Sequence, residues 1–292
     1  MKIYFESKDH HSRAMMRVEK AIKSSAPEGI SFTSNLQEAD IQFLHMIGTG
    51  ELLDLVKEKF VLFPYCFEAM DKSTLQRAQT FFNRAIMVFS YLDVPKIVDT
   101  DNFNFLKSPL GVDTNIFKNH NLLKDTCITT TGYVSGSEAI AECVQASARL
   151  NKKSIHIGGD LTPELGYNLS AKYPNLYTRR ELITDEELVS CYNRSNFVSG
   201  LRRFEGFEFP VLEGILCGAR PICFDIECYR QWFGDLAIYV PQCDYTELIN
   251  RLSDIMSTPL PITEAEYSYV INTFSWNVIL NNFWDNFKGY LG

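Results

Sequence analysis

The sequence has no run of 18 unbroken apolar residues, so no membrane-crossing helix is expected. Its eight cysteines form no CxxC pair and stand at no Cys/His ligand spacing. That excludes a zinc site or a disulfide framework as the expectation and leaves reduced thiols, mostly core residues, at Cys66, Cys127, Cys143, Cys191, Cys217, Cys223, Cys228 and Cys243. Repeats and low-complexity segments are missing. Excess positive charge is missing as well: the net charge is -8, with 14 Lys+Arg against 15 Asp+Glu over residues 1–118 and 14 against 21 over 119–292. Bulk attraction to nucleic acid is therefore not encoded, although a local basic groove stays open. The opening "MKIYFESKDHH" turns polar after five residues and reads as a first strand, not a signal peptide. A cytoplasmic protein without a metal is the expectation.

What is present is an alternation of apolar runs and amphipathic stretches. "KIYF" (2–5), "ISFTS", "DIQFLHMI", "FVLFPYCF" and "IMVFSY" read as strands. "SRAMMRVEKAIKS" (12–24, Ser12 as N-cap), "ELLDLVKEK" and "STLQRAQTFFNRA" read as helices between them. "SPLGVDTNIF" (108–117) breaks the rhythm with Pro109 and Gly111. A second series follows: a strand through "DTCITTTGY", a helix over 137–150, a strand over 153–160, a capped helix over 184–195, a strand "NFVSG", a helix over 209–218 and a strand "ARPICFD". The tail is a long amphipathic helix. At 292 residues this rhythm implies α/β architecture, two Rossmann-like domains facing a cleft: residues 1–117, residues 118–273, and a closing helix over 274–292 packing back toward the first domain.

The stretch "RRFEGFEFPVLEGILCGARP" (202–221) concentrates unusual chemistry. A helix beginning at Pro210 leaves unpaired backbone N–H groups that favour a phosphate. Gly206 permits close backbone approach, Glu205 precedes the helix and Glu213 lies one turn inside it. Carboxylates accept hydrogen bonds from sugar hydroxyls, and Arg202 and Arg203 can neutralise a diphosphate. A loop entering a buried helix, with solvated arginines, explains the same residue types equally well.

The phrase "SGLRRFEGFEFPVLEGILCGARPICFD" resembles the donor-site signature of family-4 retaining GT-B glycosyltransferases, whose pattern is Glu, seven residues, Glu. Glu205, Gly206, Phe207, Pro210, Glu213, Cys217, Gly218 and Pro221 fit it. "SPLGVDTNIF" is similar to the family's interdomain phrase through Gly111, Val112, Asp113 and Phe117, and "FSWNVILNNFWDNF" to its closing helix. The resemblance covers roughly 108 to 292. It implies a GT-B fold and a metal-independent retaining transfer of a sugar from a nucleotide donor, UDP-sugar first, with no further cofactor. Glu205 would contact the donor sugar, Glu213 the ribose, and the amides of Gly206, Phe207, Glu208 and Phe209 the sugar and phosphates. Gly132 is placed with the donor sugar and phosphate, and Gly158 and Gly159 at the end of the strand over 153–160 are expected to let the backbone approach the nucleotide.

Two departures stand out. Glu208 replaces a small residue, and "GYVSGSEA" carries no Arg or Lys where the family has both. The diphosphate charge is then expected from Arg202, Arg203, Arg179 or Arg180. In the first domain, His45 and Glu68 lie at expected carboxyl ends of strands and are candidate catalytic groups; His10 and His11 are candidate acceptor contacts. His156 reads as a satisfied buried residue. The acceptor is expected to be a glycan, a small molecule or, by analogy of size with compact phage GT-B enzymes, a hydroxymethylated DNA base. Loss of catalysis to leave a nucleotide-sugar-binding protein, and a GT-B nucleotide-sugar epimerase, are the competing readings.

Overall fold

The structure, a computed structural model, describes residues 1–6, 13–46, 56, 58–65, 79–98, 103–134, 136–160, 163–204 and 206–291. It divides into two compact units, Met1–Gly111 with Phe274–Gly292, and Val112–Thr273. Phe117, grouped with the first domain on sequence, packs beside Tyr192 of the second unit at 6.4 Å between ring centroids. Ahead of it, Asp113 Oδ1 accepts from the amides of Asn115 and Ile116 at 2.9 and 3.3 Å, a side-chain-closed turn.

Unit 1 carries β1 (Lys2–Glu6), α1 (Arg13–Ser24), β2 (Ser31–Thr33), β3 (Ile41–Met46), β4 (Phe60–Pro64), β5 (Met87–Ser90), α2 (Val94–Val98) and β6 (Phe105–Lys107). The sheet is parallel, in the order β2-β1-β3-β4-β5-β6. Its central strands are apolar on both faces, as a covered parallel sheet requires; every residue of β4 and β5 is buried. The core is aromatic. Phe283 of the closing helix stands edge-on to Phe43 and Phe89, and Phe287 edge-on to Phe43. Trp284 Nε1 donates to Ser25 Oγ at 3.0 Å. Gly111 leaves room for Trp276, whose ring a Cβ at 111 would meet at 2.5 Å, so two of the phrases read from sequence touch.

Unit 2 carries β7 (Thr126–Val134), α3 (Ile140–Arg149), β8 (Ser154–Asp160), α4 (Pro163–Lys172), β9 (Tyr177–Arg180), α5 (Asp185–Arg194), β10 (Ser195–Gly200), α6 (Phe209–Leu216), β11 (Arg220–Phe224), α7 (Glu227–Phe233), β12 (Ile238–Val240), α8 (Tyr245–Ser257) and α9 (Glu264–Phe274); α10 (Trp276–Leu291) returns to unit 1. The parallel order β12-β11-β10-β7-β8-β9 is that of a Rossmann sheet, which reverses direction between β7 and β10. The capping box expected on α5 is formed: Thr184 Oγ1 accepts from Glu187 N at 3.2 Å, and Glu187 Oε2 from Thr184 N at 2.8 Å. Sequence rhythm alone left α4, β9, α7, β12, α8 and α9 unassigned. Among the described residues no helix is long and apolar enough to cross a membrane.

Candidate functional site

Ligands of open parallel sheets bind outside the carboxyl ends of the strands where the strand order reverses. In unit 2 that point is flanked by Gly132 at the end of β7 and by the loop after β10 that leads into α6. The two loops are stitched together. Ala139 N donates to Leu201 O at 3.1 Å and Arg203 N to Ser137 O at 2.9 Å, with a bridge pairing Glu138 and Arg202.

Glycine chemistry sets the floor of this edge. Gly132 has φ +113°, and a Cβ on Gly158 would stand 1.7 Å from Gly132 O. The close approach that Gly158 permits here is thus to Gly132 of the neighbouring strand. Tyr133, which follows Gly132, lays its ring against Gly159.

The charges above that floor are paired. Arg202 Nε lies 2.8 Å from Glu138 Oε1 and 3.3 Å from Glu208 Oε1, an ion pair with each. Glu208, only 5 % exposed, occupies the N-cap position of α6 without capping it; its side chain turns to Arg202 and accepts from Tyr229 OH at 3.4 Å. Arg203 has another set of partners. It donates to Glu142 Oε1 at 3.1 Å and to Gly136 O at 3.2 Å, and its guanidinium covers the Phe224 ring at 4.9 Å. Burial raises the Glu142 carboxyl from its ordinary value, against the pull of Arg203.

Glu213 is 2 % exposed and accepts from the fully buried Tyr192 hydroxyl at 3.3 Å. Four residues on, the Cys217 thiol is pushed up to about 12, first by burial and then by the Glu213 carboxylate. Phe209 starts α6 with Pro210 next in its first turn, and Gly218 takes φ +78° just after its end, as helix start and stop chemistry ask. Gly206 is buried, and Phe207 wedges against Phe233 at 5.2 Å and Phe209 at 6.0 Å, fixing the loop into α6.

The remaining candidates lie elsewhere. Arg179 and Arg180 sit on the outermost strand β9, two strands from β7, and Arg179 pairs with Glu181. His156 is buried and bonded, Nδ1 lying 3.0 Å from Thr130 Oγ1. His45, at the end of β3 in unit 1, is enclosed by rings: Phe5, Phe63 and Tyr65 stack on it at 5.0, 5.4 and 5.4 Å. Its Nδ1 lies 2.8 Å from Tyr65 OH, and Nε2 has no hydrogen-bond partner among the described residues. Burial, then Lys23, lowers its pKa to about 3, so it is neutral at ordinary pH. Glu205, Glu68, His10 and His11 lie outside the described residues. Sequence reading missed Glu138, Glu142, Tyr192 and Tyr229. Each partners a motif residue from far along the chain, a relation that no local spacing encodes.

No protein-family model matches the sequence, and no curated protein is similar to it by sequence. Solved structures do share its fold. A sucrose-phosphate synthase of Thermosynechococcus elongatus superposes with TM-score 0.75 at 14% identity, over 100% of this chain and 99% of that one. A glycosyltransferase of Rickettsia africae gives 0.73 at 14% identity, over 99% and 98%. The pneumococcal O-GlcNAc transferase in complex with UDP and GlcNAc gives 0.69 at 13% identity, over 86% of this chain and 57% of that one. At these identities the likeness is one of fold, and the fold is GT-B, as the sequence phrases led us to expect.

Proposed function

We propose that the chain is a retaining glycosyltransferase that moves a sugar from a nucleotide donor, UDP-sugar first, to a hydroxyl of a glycan or small molecule. The observation that carries the reading is Glu213. It is a carboxylate held at 2 % exposure, one turn inside a helix that begins beside the sheet's reversal point, with the Tyr192 hydroxyl donating to Oε2. A ribose offers two adjacent hydroxyls for that carboxylate. The amides of Gly206, Phe207, Glu208 and Phe209 and the start of α6 then hold sugar and phosphates, with Glu205 on the donor sugar. On this reading a departing phosphate oxygen takes the acceptor proton on the same face, so the transfer retains configuration. On this reading His10 and His11 are the unit 1 groups offered to the acceptor, and His45 and Glu68 are its candidate catalytic groups.

Support comes from the shared fold and from the UDP bound to the pneumococcal neighbour. The hydroxymethylated DNA base draws no support from these likenesses. The test is release of nucleoside diphosphate from a panel of nucleotide sugars by the wild-type chain and by Glu205→Ala. Release that the substitution abolishes supports the reading. Binding without turnover of any donor contradicts it in favour of a binding protein, and conversion of a donor to its epimer without acceptor points to an epimerase.

A further inference from the structure

A leaving diphosphate needs fixed positive charge where its own charge develops. The stretch "GYVSGSEA" (132–139), which ends β7 and leads toward α3 beside the sheet's reversal point, contains no Lys or Arg. The guanidinium found there belongs to the opposite side. Arg202 leaves the end of β10 and reaches back over Gly132: a Cβ built on Gly132 would stand 2.8 Å from Arg202 Nη2 and 2.5 Å from Glu138 Oε1. A Cβ at 132 would push both side-chain ends aside. The φ of +113° at Gly132 and its missing side chain serve the same contact.

Three elements converge on that guanidinium. Glu138 comes from the segment before α3, Arg202 from the segment after β10, and Glu208 from the N-cap position of α6. Both carboxylates meet Arg202 at Nε, which fixes the plane of the fork. Both are nearly buried, while about a third of the Arg202 side chain (32%) faces solvent. The start of α6, with its partial positive charge, follows directly after Glu208. Arg203, the neighbouring cation, is turned away to Glu142 and Phe224.

We propose that Arg202 is the diphosphate-binding cation of unit 2, and that Glu138 and Glu208 are its positioning residues, the pair that lets one arginine from β10 serve a loop that has no cation of its own. The assignment rests on the donor reading of this site. It gives Glu208 a task distinct from sugar contact and brings in Glu138, which no motif marks.

The test is calorimetry with UDP, ADP and GDP and with the matching nucleosides. Against the diphosphate that binds best, Arg202→Met is expected to weaken affinity about tenfold or more, the loss of a charge-assisted contact, while nucleoside affinity stays within about twofold. Arg202→Lys keeps the charge that compensates two buried carboxylates, so it keeps the fold, and falls between. Glu138→Ala and Glu208→Ala each weaken diphosphate binding about fivefold or more, whereas Glu138→Gln, whose amide oxygen still meets Nε, restores it to within about threefold. Equal losses for nucleoside and diphosphate, or no loss in Arg202→Lys and Arg202→Met, overturn the assignment and leave the donor reading standing. A wild-type chain that binds none of the three diphosphates overturns the donor reading itself.

Discussion

The two sheets are both parallel and six-stranded, yet they end their reversal points in opposite ways. In unit 2 the edge between β7 and β10 is charged, glycine-floored and cross-linked by Glu138, Arg202 and Glu208. In unit 1 the order reverses between β1 and β3, and β3 ends in His45, a neutral imidazole inside a stack of rings. The lesson is that, among the described residues, a reversal point in a parallel sheet is lined by paired charges in one unit and by packed rings in the other. Unit 2 invests its edge in paired polar groups, and unit 1 invests its interior in aromatic packing that recruits α10.

The largest effect should come from cutting that recruitment. Phe283→Ala removes a fully buried ring touching Phe43, Phe63 and Phe89, and is expected to cost about 3–5 kcal/mol. Native-state hydrogen exchange should show protection lost in β3 to β5 and kept in β7 to β11. Equal loss across both sheets would erase the energetic distinction between the units.

Acid should separate them next. His45 has a folded pKa of about 3 against an ordinary value near 6.5, so the unfolded chain takes up the proton first. Stability is full above pH 6.5 and falls as pH drops toward 3, by on the order of 3–5 kcal/mol. A pH series of unfolding curves should show that decline in the wild type and a shallower one in His45→Gln. An unchanged slope in the variant would remove His45 as its cause.

The smaller acid effect belongs to unit 2. Arg220 pairs with Glu266 and draws its carboxyl down to about 2, so that contribution is present above pH 4.5 and disappears as pH falls through 2. Solvent reaches the pair, which limits it to on the order of 1 kcal/mol. Glu266→Gln should flatten the unfolding curves only below pH 4.5; flattening at higher pH would assign the wrong window to this pair.

The same contrast explains what could be read in advance. The phrases of unit 2 carry local chemistry: Pro210 at a helix start, Gly218 past its end, Thr184 with Glu187 as a cap, and glycines at the strand ends. Those residue types constrain their own backbone, so spacing reveals them. Glu208 could not be placed, because its partners Arg202 and Tyr229 are set by the packing of α6 and α7. Glu138 was invisible for the same reason, since its partner Arg202 follows the neighbouring strand β10, far along the chain. His45 was legible as a strand-end residue but not as a dehydrated one, because the rings around it come from β1 and β4 and from Tyr65 just after β4. The edge strand β9 (YTRR) carries a single apolar residue, too few to announce itself.

The central claim is that the edge between β7 and β10 holds a nucleotide through Glu213, and calorimetry of a nucleoside diphosphate on wild type and Glu213→Ala tests it most directly. The account predicts measurable binding by the wild-type chain, weakened by about 1–3 kcal/mol when the carboxylate is removed, with the variant still folded. Equal affinity in the two proteins would contradict it.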